Sequence, residues 1–136
     1  MVHTGNGSGI MRACNTVRKD ENLYEMDFPT YELREIPVTD AMERAFGVRP
    51  QKAVLGLDLI CVFEKEEQVR QMQPDQTLLK EIEGRIQNAT AAGINVDCVS
   101  RSFCPKLSIA EDPVCGSAHC QIAAYWSRVL SKPAIK

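Results

Sequence analysis

The chain has 136 residues, of which 44% are hydrophobic and 25% charged, and its formal net charge is −2. This is ordinary composition for one globular domain with a core, and it argues against intrinsic disorder. The 16 basic and 18 acidic residues are mixed along the sequence, so it has no positive patch of the kind that binds nucleic acid or an anionic membrane surface.

The first predicted elements are the strands of a hairpin. Residues 5–9 (GNGSG) are a turn sequence that we expect to join two strands, because glycine and asparagine tolerate positive φ. Residues 10–18 and 23–28 carry alternating or β-branched apolar side chains around the polar connection 19–22, which predicts a hairpin. Pro29 should end its second strand, since proline has no backbone donor.

A short helix and a pair of strands come next. Asp40 and Glu43 bracket the start of AMERAF and Gly47 follows it, which predicts a two-turn helix with a capping box and a glycine stop. Residues 52–58 and 59–64 are rich in Val, Leu and Ile and predict two strands around a tight connection.

Two further helices and a strand precede the last helix. Residues 65–72 and 75–85 have helical composition, and the second segment also has helical apolar spacing. Its apolar positions are Leu78, Leu79, Ile82 and Ile86. Gly93 begins a β pattern, INVDCVSRSF. The residues expected on one face of that strand are Ile94, Val96, Cys98 and Ser100.

The last predicted element is a helix over residues 117–130. Its apolar positions follow helical steps at Ala118, Ile122, Tyr125, Trp126 and Val129. Further apolar residues widen this stripe until little polar surface remains. A helix buried on most sides and surrounded by strands is therefore the core that the sequence predicts.

Cysteine usage and the first residues favour a reducing compartment. The start, MVHTGNGSG, lacks a basic n-region and an apolar h-region, and no apolar run approaches the roughly 20 residues of a membrane span. We therefore expect a cytoplasmic protein whose six cysteines are reduced. No two cysteines have the spacing of a zinc knuckle, and His3 and His119 are the only imidazoles, so we predict neither a metal site nor a cofactor.

The ten residues EDPVCGSAHC (111–120) carry the most chemistry. Pro113 favours an extended Asp112, so the segment with the two acids should not run into the following helix. Gly116 would allow a sharp turn without a Cβ clash, and Ser117 is a good N-cap. The sequence thus predicts a turn that delivers these acids to the mouth of a helix.

Such a helix mouth is suited to an anion. The unpaired amides of residues 117–119 and the positive end of the helix dipole would bind a substrate carboxylate. The same positive end lowers the pKa of a nearby thiol and favours an ionised carboxylate, so Cys115 and Asp112 are candidates for proton transfer. This combination indicates an isomerase that needs no cofactor.

The same residues also have structural interpretations. Asp112 can serve as a capping or turn carboxylate, and Cys115 as a small buried side chain. His119 is expected to be a partly exposed polar residue rather than a base, and Cys120 to pack one turn into the helix. Arg101 can simply solvate the end of a strand.

Residues 100–126, SRSFCPKLSIAEDPVCGSAHCQIAAYW, resemble the second-lobe signature of the phenazine-biosynthesis-like PhzF family. That signature runs approximately SR-x-F-x-P, then EDPV-x-GSA ahead of an aromatic-ended helix. The matching residues are Ser100, Arg101, Phe103, Pro105, Glu111, Asp112, Pro113, Val114, Gly116, Ser117 and Ala118. Residues 24–29 are similar to the strand before the domain crossover, so the resemblance spans nearly the whole chain.

The resemblance implies an α/β (α+β) protein with a diaminopimelate epimerase-like fold, in which two lobes each wrap a curled antiparallel sheet around a central helix. It also implies a cofactor-independent isomerase or epimerase acting on small carboxylated metabolites between the two helix mouths. Asp112 matches the acidic site residue of the second lobe, and Gly116, Ser117 and Ala118 match its substrate-binding segment.

The resemblance also gives Cys115 a role. Its position is often threonine in the family. In the related diaminopimelate epimerases and proline racemases, however, a catalytic cysteine stands directly before the corresponding glycine. Cys115 is therefore similar to a thiol acid/base in the ancestral place.

The chain also departs from the family. Members are roughly twice as long, and the first-lobe glutamate motif and Cys-Gly-His segment are not in this sequence. We therefore expect residues 1–38 to be the C-terminal part of the first lobe and residues 39–136 to be most of the second, with central helix 117–130.

The expected function is that of a PhzF-like isomerase that moves a proton on a small carboxylated metabolite. Asp112 or Cys115 would be one acid/base, and the partner group from the other lobe would belong to the parent protein. The alternative is a non-catalytic small-anion-binding module, or a vestigial fragment that persists by self-association, for example as a homodimer. Neither nucleic acid nor a membrane is an expected partner.

Overall fold

The computed structural model describes residues 2–3, 16–21, 23–28 and 30–136. The strands within this part of the chain are β1 (Val2–His3), β2 (Thr16–Asp20), β3 (Leu23–Asp27), β4 (Arg34–Ile36), β5 (Lys52–Leu55), β6 (Leu59–Val62), β7 (Gln87–Ala92), β8 (Cys98–Cys104), β9 (Ile109–Asp112) and β10 (Ala134–Ile135). The α-helices are α1 (Asp40–Phe46), α2 (Glu66–Gln71), α3 (Gln76–Glu81) and α4 (Gly116–Leu130), and a 3₁₀ turn covers Pro105–Leu107.

The centre of the fold is a six-stranded sheet in the order β4-β5-β6-β7-β8-β9. Neighbouring strands are antiparallel except for β6 and β7, which run parallel. Separately, β1 pairs with β10, and β2 pairs with β3. The sequence resemblance implied an antiparallel sheet, and the parallel β6–β7 pair is a departure from it.

Each face of the sheet is covered by helices, as the alternation in β6 makes plain. Leu59 and Cys61 belong to one buried cluster, which includes side chains of α1, α2 and α3. Ile60 and Val62 belong to a second cluster with α4. All four residues are buried because the strand has a helix layer on both sides.

Helix α4 is the central helix that the sequence predicted. Seven of its residues are buried: Ala118, Cys120, Gln121, Ile122, Ala123, Ala124 and Trp126. Trp126 also orients it on the sheet, because its Nε1–H donates to Thr90 Oγ1 at 2.9 Å and that hydroxyl donates to Val99 O at 2.7 Å. A buried indole N–H thus has a partner on the central strand.

Helix α1 forms where it was predicted, but its N-cap is Thr39 rather than Asp40. The Thr39 hydroxyl accepts from the Met42 amide at 3.3 Å. Asp40 and Glu43 instead accept from Arg49, at 2.9 and 2.7 Å, so the pair is not a capping box. Gly47 stops the helix in the left-handed conformation, at φ 74°, as expected.

The predicted N-terminal hairpin is present as β2 and β3. Their register pairs Asp20 with Leu23 across the turn. The turn at residues 5–9, the segment 10–15 and the stop at Pro29 lie outside the described residues. The β5–β6 pair is confirmed as a tight antiparallel hairpin.

Strand β7 is a core element that sequence patterning missed. Its polar residues Gln87, Asn88 and Thr90 are fully buried, so the strand lacks an apolar signal. The Asn88 side chain donates to Leu59 O at 3.1 Å and accepts from Ser102 Oγ at 2.7 Å. Hydrogen bonding thus replaces apolar packing at these positions.

Among the described residues, two predicted boundaries differ most from the structure. Residues 94–97 are not part of a strand, because the Gly93 amide donates back to Asp97 O at 3.3 Å and closes a turn. Ile94 is 82% exposed as a result. Helix α3 ends at Glu81 rather than Arg85, since Ile82 is extended with ψ 158°.

Among the described residues, no helix combines the length and the apolar character that a membrane crossing requires.

Strand β4 pairs with β5 and so joins the large sheet. The lobe boundary after residue 38 stays a prediction.

Candidate active site

The candidate site lies where strand β9 leads into helix α4. Residues 113–115 connect the two elements, and Cys115 is the N-cap of the helix. The first intrahelical bond runs from His119 N–H to Cys115 O at 3.2 Å. The amides of Gly116, Ser117 and Ala118 come before that bond and point out of the helix mouth. The N-cap is therefore Cys115, not Ser117 as predicted, because Cys115 is the last extended residue, at ψ 95°.

Asp112 stabilises the turn into this helix. One of its carboxylate oxygens, Oδ1, accepts from the Val114 amide at 3.0 Å. This is the turn role that the structural interpretation expected, and it fixes the orientation of the carboxylate without using its second oxygen. The residue is half-buried, so it can meet a small molecule at the mouth.

The neighbouring acid, Glu111, has a different task because successive residues of a strand face opposite sides of a sheet. Asp112 is paired with Ser102 and Glu111 with Phe103. Asp112 therefore shares the α4 face, whereas Glu111 faces the α1–α3 layer. On that face it accepts from Arg101 Nε at 2.8 Å and Nη2 at 2.7 Å.

Arg101 does not solvate a strand end; it lies within β8 and joins three elements. Besides Glu111, its Nη1 donates to Val69 O at 3.2 Å and to Met72 O at 2.8 Å. The Arg101 hydrogen bonds, followed by its charge, lower the pKa of Glu111. This pair holds the sheet to helix α2 and plays no part at the helix mouth.

A third side chain, which the sequence did not single out, joins Asp112 and Cys115. The Cys104 sulfur, the Asp112 carboxylate and the Cys115 sulfur all lie within 4.8 Å of one another. Burial first, then the nearness of Cys115, Asp112 and Asp58, raises the pKa of Cys104 to about 11. The pairing register of β8 and β9 brings Cys104 close to Asp112. This register cannot be obtained from one sequence alone, so the sequence did not indicate that Cys104 belongs to the site.

Arg85 adds a positive charge to the mouth. Its Nη2 donates to Ser117 Oγ at 3.1 Å and its Nε to Asp58 Oδ1 at 3.3 Å. The Arg85 side chain is 44% exposed, so part of the guanidinium faces solvent. The sequence predicts Arg85 only as the last residue of a helix, whereas the early stop of α3 places it at the mouth.

Asp58 and Gln121 hold the mouth against the sheet. Gln121 Nε2 donates to Asp58 Oδ2 at 2.8 Å, and the Asp58 amide donates to Gln121 Oε1 at 3.1 Å. Both residues are fully buried. A Cβ at Gly56 would lie 2.5 Å from Gln121 Oε1, so only glycine leaves room for this bond.

Gly116 contributes space rather than an unusual backbone. Among the described glycines only Gly47 and Gly84 have positive φ, so the sharp turn predicted at Gly116 does not depend on glycine. Apart from its chain neighbours and the backbone of its own helix, a Cβ added at Gly116 would meet no atom within 4 Å. The room beside the helix amides is therefore open to a ligand.

The remaining residues of the motif agree with their structural interpretations. His119 is exposed, and its Nδ1–H donates to Cys115 O at 2.6 Å. The buried Cys120 thiol donates to Gly116 O at 3.3 Å. Both bonds stabilise the first turn of α4.

Comparison with known proteins places these features in a family. The model of the phenazine biosynthesis-like proteins, PhzC-PhzF, matches residues 1–136. An uncharacterized isomerase of Pseudomonas aeruginosa is 40% identical over 116 residues, covering 85% of this chain and 44% of the relative. One of Halalkalibacterium halodurans is 30% identical over 129 residues, covering 92% and 47%.

Solved structures agree with the fold. The crystal structure of a phenazine biosynthesis protein of the PhzF family from Enterococcus faecalis superposes with a TM-score of 0.82 at 44% identity. The match covers 85% of this chain and 45% of that one. The chain thus spans less than half the length of these relatives, and it has the diaminopimelate epimerase-like fold that the sequence resemblance implied.

Proposed function

The chain belongs to the phenazine biosynthesis-like (PhzC-PhzF) family, and from that premise we propose that it carries one half of a cofactor-independent isomerase site for small carboxylate-bearing metabolites. The observation that carries the proposal is the mouth of α4. Three outward amides with open space beside Gly116 adjoin a carboxylate and a thiol.

The substrate carboxylate is bound by the amides of Gly116, Ser117 and Ala118. Helix α4 has 15 residues, so its aligned peptide dipoles place a substantial positive partial charge at these amides. The Arg85 guanidinium lies on the same side, with Nη2 3.1 Å from Ser117 Oγ, Nε paired to Asp58 at 3.3 Å and 44% of the side chain exposed. An anion of small size is therefore preferred over a neutral ligand.

Proton transfer is assigned to Asp112 or Cys115. One of them removes a proton from the carbon next to an activating group, and the electron pair delocalises into that group. A proton then returns to a different position or to the opposite face, which completes an isomerisation with no net change in atoms or electrons. A positioned acid/base contributes about 10²- to 10⁴-fold to such a step.

A second acid/base is needed for the return of the proton in the usual two-sided arrangement. The curated relatives carry more than twice the length that matches here. We propose that the additional sequence of the parent protein supplies the group that faces Asp112 and Cys115 across the cleft.

A non-catalytic anion-binding module is the second candidate. The same amides and Arg85 would bind a carboxylate without any proton transfer. Such binding needs only these groups, whereas the isomerase also needs a second acid/base.

The experiment is a test of solvent deuterium incorporation into a panel of amino and hydroxy acids, followed by mass spectrometry. It is run on this chain and on the complete parent protein where the gene encodes a longer one. We expect incorporation at one carbon of at least one acid with the parent protein. Binding of the panel by calorimetry without incorporation in either protein would reject the isomerase and leave the binding module.

The role of the thiol is tested in the same assay with Cys115→Ser. Cys98→Ser is the matched control, because Cys98 is a half-buried thiol elsewhere on β8. Unchanged turnover in the Cys115 variant would leave proton transfer to Asp112 alone.

A further inference from the structure

Three potential metal ligands converge where β8, β9 and α4 meet. The sulfurs of Cys104 and Cys115 and an oxygen of Asp112 are all within 4.8 Å of one another. In a tetrahedral zinc site with Zn–S bonds of about 2.3 Å and Zn–O bonds of about 2.1 Å, ligand atoms are about 3.6–3.8 Å apart. Small side-chain rotations would therefore close these three ligands around one ion.

The ligand set selects the kind of ion. Two thiols and one carboxylate form a sulfur-rich site, which suits Zn²⁺ and disfavours Mg²⁺ and Ca²⁺, which require oxygen ligands. Cys104 and Cys115 are 1% and 4% exposed, so the site is largely dry. Asp112 is half-buried and Val114 beside it is 79% exposed, which leaves an entry path on the β9 side.

Surrounding hydrogen bonds already orient the ligands. The Asp112 carboxylate is held by the Val114 amide at 3.0 Å. The Cys104 thiol donates to Ser102 O at 3.9 Å. Such supporting bonds fix ligand geometry in protein metal sites. The Ser117 hydroxyl is 3.7 Å from the Cys115 sulfur, so a fourth coordination position would face the anion site.

We propose that Cys104, Asp112 and Cys115 bind a thiophilic divalent cation such as Zn²⁺, and that this cation occupies the groups needed for proton transfer and so inhibits the isomerase. On binding, each thiol releases its proton to solvent and the two thiolates and the carboxylate coordinate the ion. Only the inhibition rests on the proposed function; the binding does not.

The first test measures metal binding by the full chain. Zn²⁺ affinity is measured by competition with a chromogenic chelator, and Co²⁺ is added to detect thiolate-to-cobalt charge-transfer absorption. We expect one ion per chain and a charge-transfer band. Loss of supporting residues alone costs about 10- to 100-fold in metal affinity, so Cys104→Ser should weaken binding by about 100-fold or more. Cys98→Ser, the matched control, should bind Zn²⁺ as tightly as the unsubstituted chain does.

A second measurement needs no variant. Zn²⁺ should protect Cys104 and Cys115 from alkylation, mapped by mass spectrometry, and leave Cys98 unprotected. Equal affinity in a folded Cys104→Ser chain, or protection of other cysteines instead, would overturn the proposal.

The two proposals fail separately. With the parent isomerase, Zn²⁺ should abolish deuterium incorporation, and half-inhibition should occur at the free Zn²⁺ concentration that half-saturates the site in the binding assay. Cys98→Ser should keep both the activity and this sensitivity to Zn²⁺. Metal binding without any incorporation would reject the isomerase and keep the metal site. Incorporation that persists in a zinc-loaded protein would reject the inhibition.

Discussion

Glu111 and Asp112 are adjacent acids on one strand, yet they belong to two different regions of the molecule. Glu111 faces the α1–α3 layer, where Arg101 satisfies both of its oxygens. Asp112 faces α4, where one backbone amide orients it and two thiols adjoin it. We refer to these regions as the clamp face (Arg101 and Glu111) and the mouth face (Cys104, Asp112 and Cys115).

The difference between the two faces shows how a strand separates stability from chemistry. On the clamp face, the Arg101 donors reach Glu111 and two backbone carbonyls, so the charges are compensated. The mouth face places acidic groups beside outward helix amides and open space at Gly116. Satisfied charges of this kind hold elements together, whereas groups left available beside a binding site can react.

The largest expected effect separates the two acids by activity. Asp112→Asn in the parent protein should lower deuterium incorporation by about 10²- to 10⁴-fold, because it removes a carboxylate that we propose as a proton-transfer group. Its free energy of unfolding should change little, since an amide oxygen can still accept from Val114. Glu111→Gln should leave the activity per folded molecule unchanged. Equal loss of activity in both variants would contradict the division into two faces.

The next effect separates the faces by stability. Arg101→Met should lower the free energy of unfolding by about 2–3 kcal/mol. This is less than the ~3–5 kcal/mol of a fully buried pair, because Arg101 and Glu111 are 22% and 36% exposed. The cause is the uncompensated Glu111 carboxylate together with two carbonyls that lose their donor. Urea denaturation provides the measurement.

A double variant checks that cause. Adding Glu111→Gln to Arg101→Met removes the orphaned charge and should restore part of the lost stability. If the two losses simply add, the pair does not act as a clamp.

Much of this arrangement could be predicted from residue patterns that act locally. The α4 stripe, the α1 glycine stop and the β5–β6 hairpin depend on neighbours within a few residues, and all three are confirmed except at Val129, which is 52% exposed. The resemblance carried by residues 100–126 predicted the fold itself. Asp112 and Cys115 are adjacent to the helix mouth as expected. Local propensity assigned the N-cap to the wrong residue, Ser117 instead of Cys115.

What could not be predicted depends on contacts between distant segments. Strand β7 hides its polar side chains by hydrogen bonds to β6, β8 and the loop before it, so its sequence does not look like that of a core strand. Cys104 reaches Asp112 through the β8–β9 register, and Arg85 reaches Ser117 across 32 residues. The opposite orientations of Glu111 and Asp112 become functional information only once the layers on each side are known.

A smaller effect tests the open space of the mouth face. Gly116→Ala in the parent protein should raise KM about tenfold, or 1.4 kcal/mol, because the new methyl group enters the proposed anion site. Stability should stay the same or rise slightly, since alanine favours a helix over glycine. Gly47→Ala is the matched control: its Cβ also meets no atom within 4 Å, but φ is +74°. That variant should lose stability and keep KM, and a reversal of the two outcomes would show that Gly116 is needed for the backbone alone.

The smallest effect is the acid sensitivity of the clamp face. Arg101 holds the pKa of Glu111 below its ordinary value, so the unfolded chain binds this proton more readily than the folded chain does. The resulting stability is present above the unfolded pKa, near 4.3, and is lost as pH falls through the lower folded pKa. Urea denaturation is therefore carried out from pH 7 to pH 3. The free energy of unfolding of the unsubstituted chain should exceed that of Glu111→Gln at pH 7, and this difference should shrink at acid pH. Asp40, Glu66 and Asp97 also have lowered pKa values, so this variant should remove only part of the total pH slope. A difference that stays constant down to pH 3 would mean that Glu111 stabilises the fold by packing, and the clamp face would then owe its strength to the Arg101 bonds with Val69 and Met72.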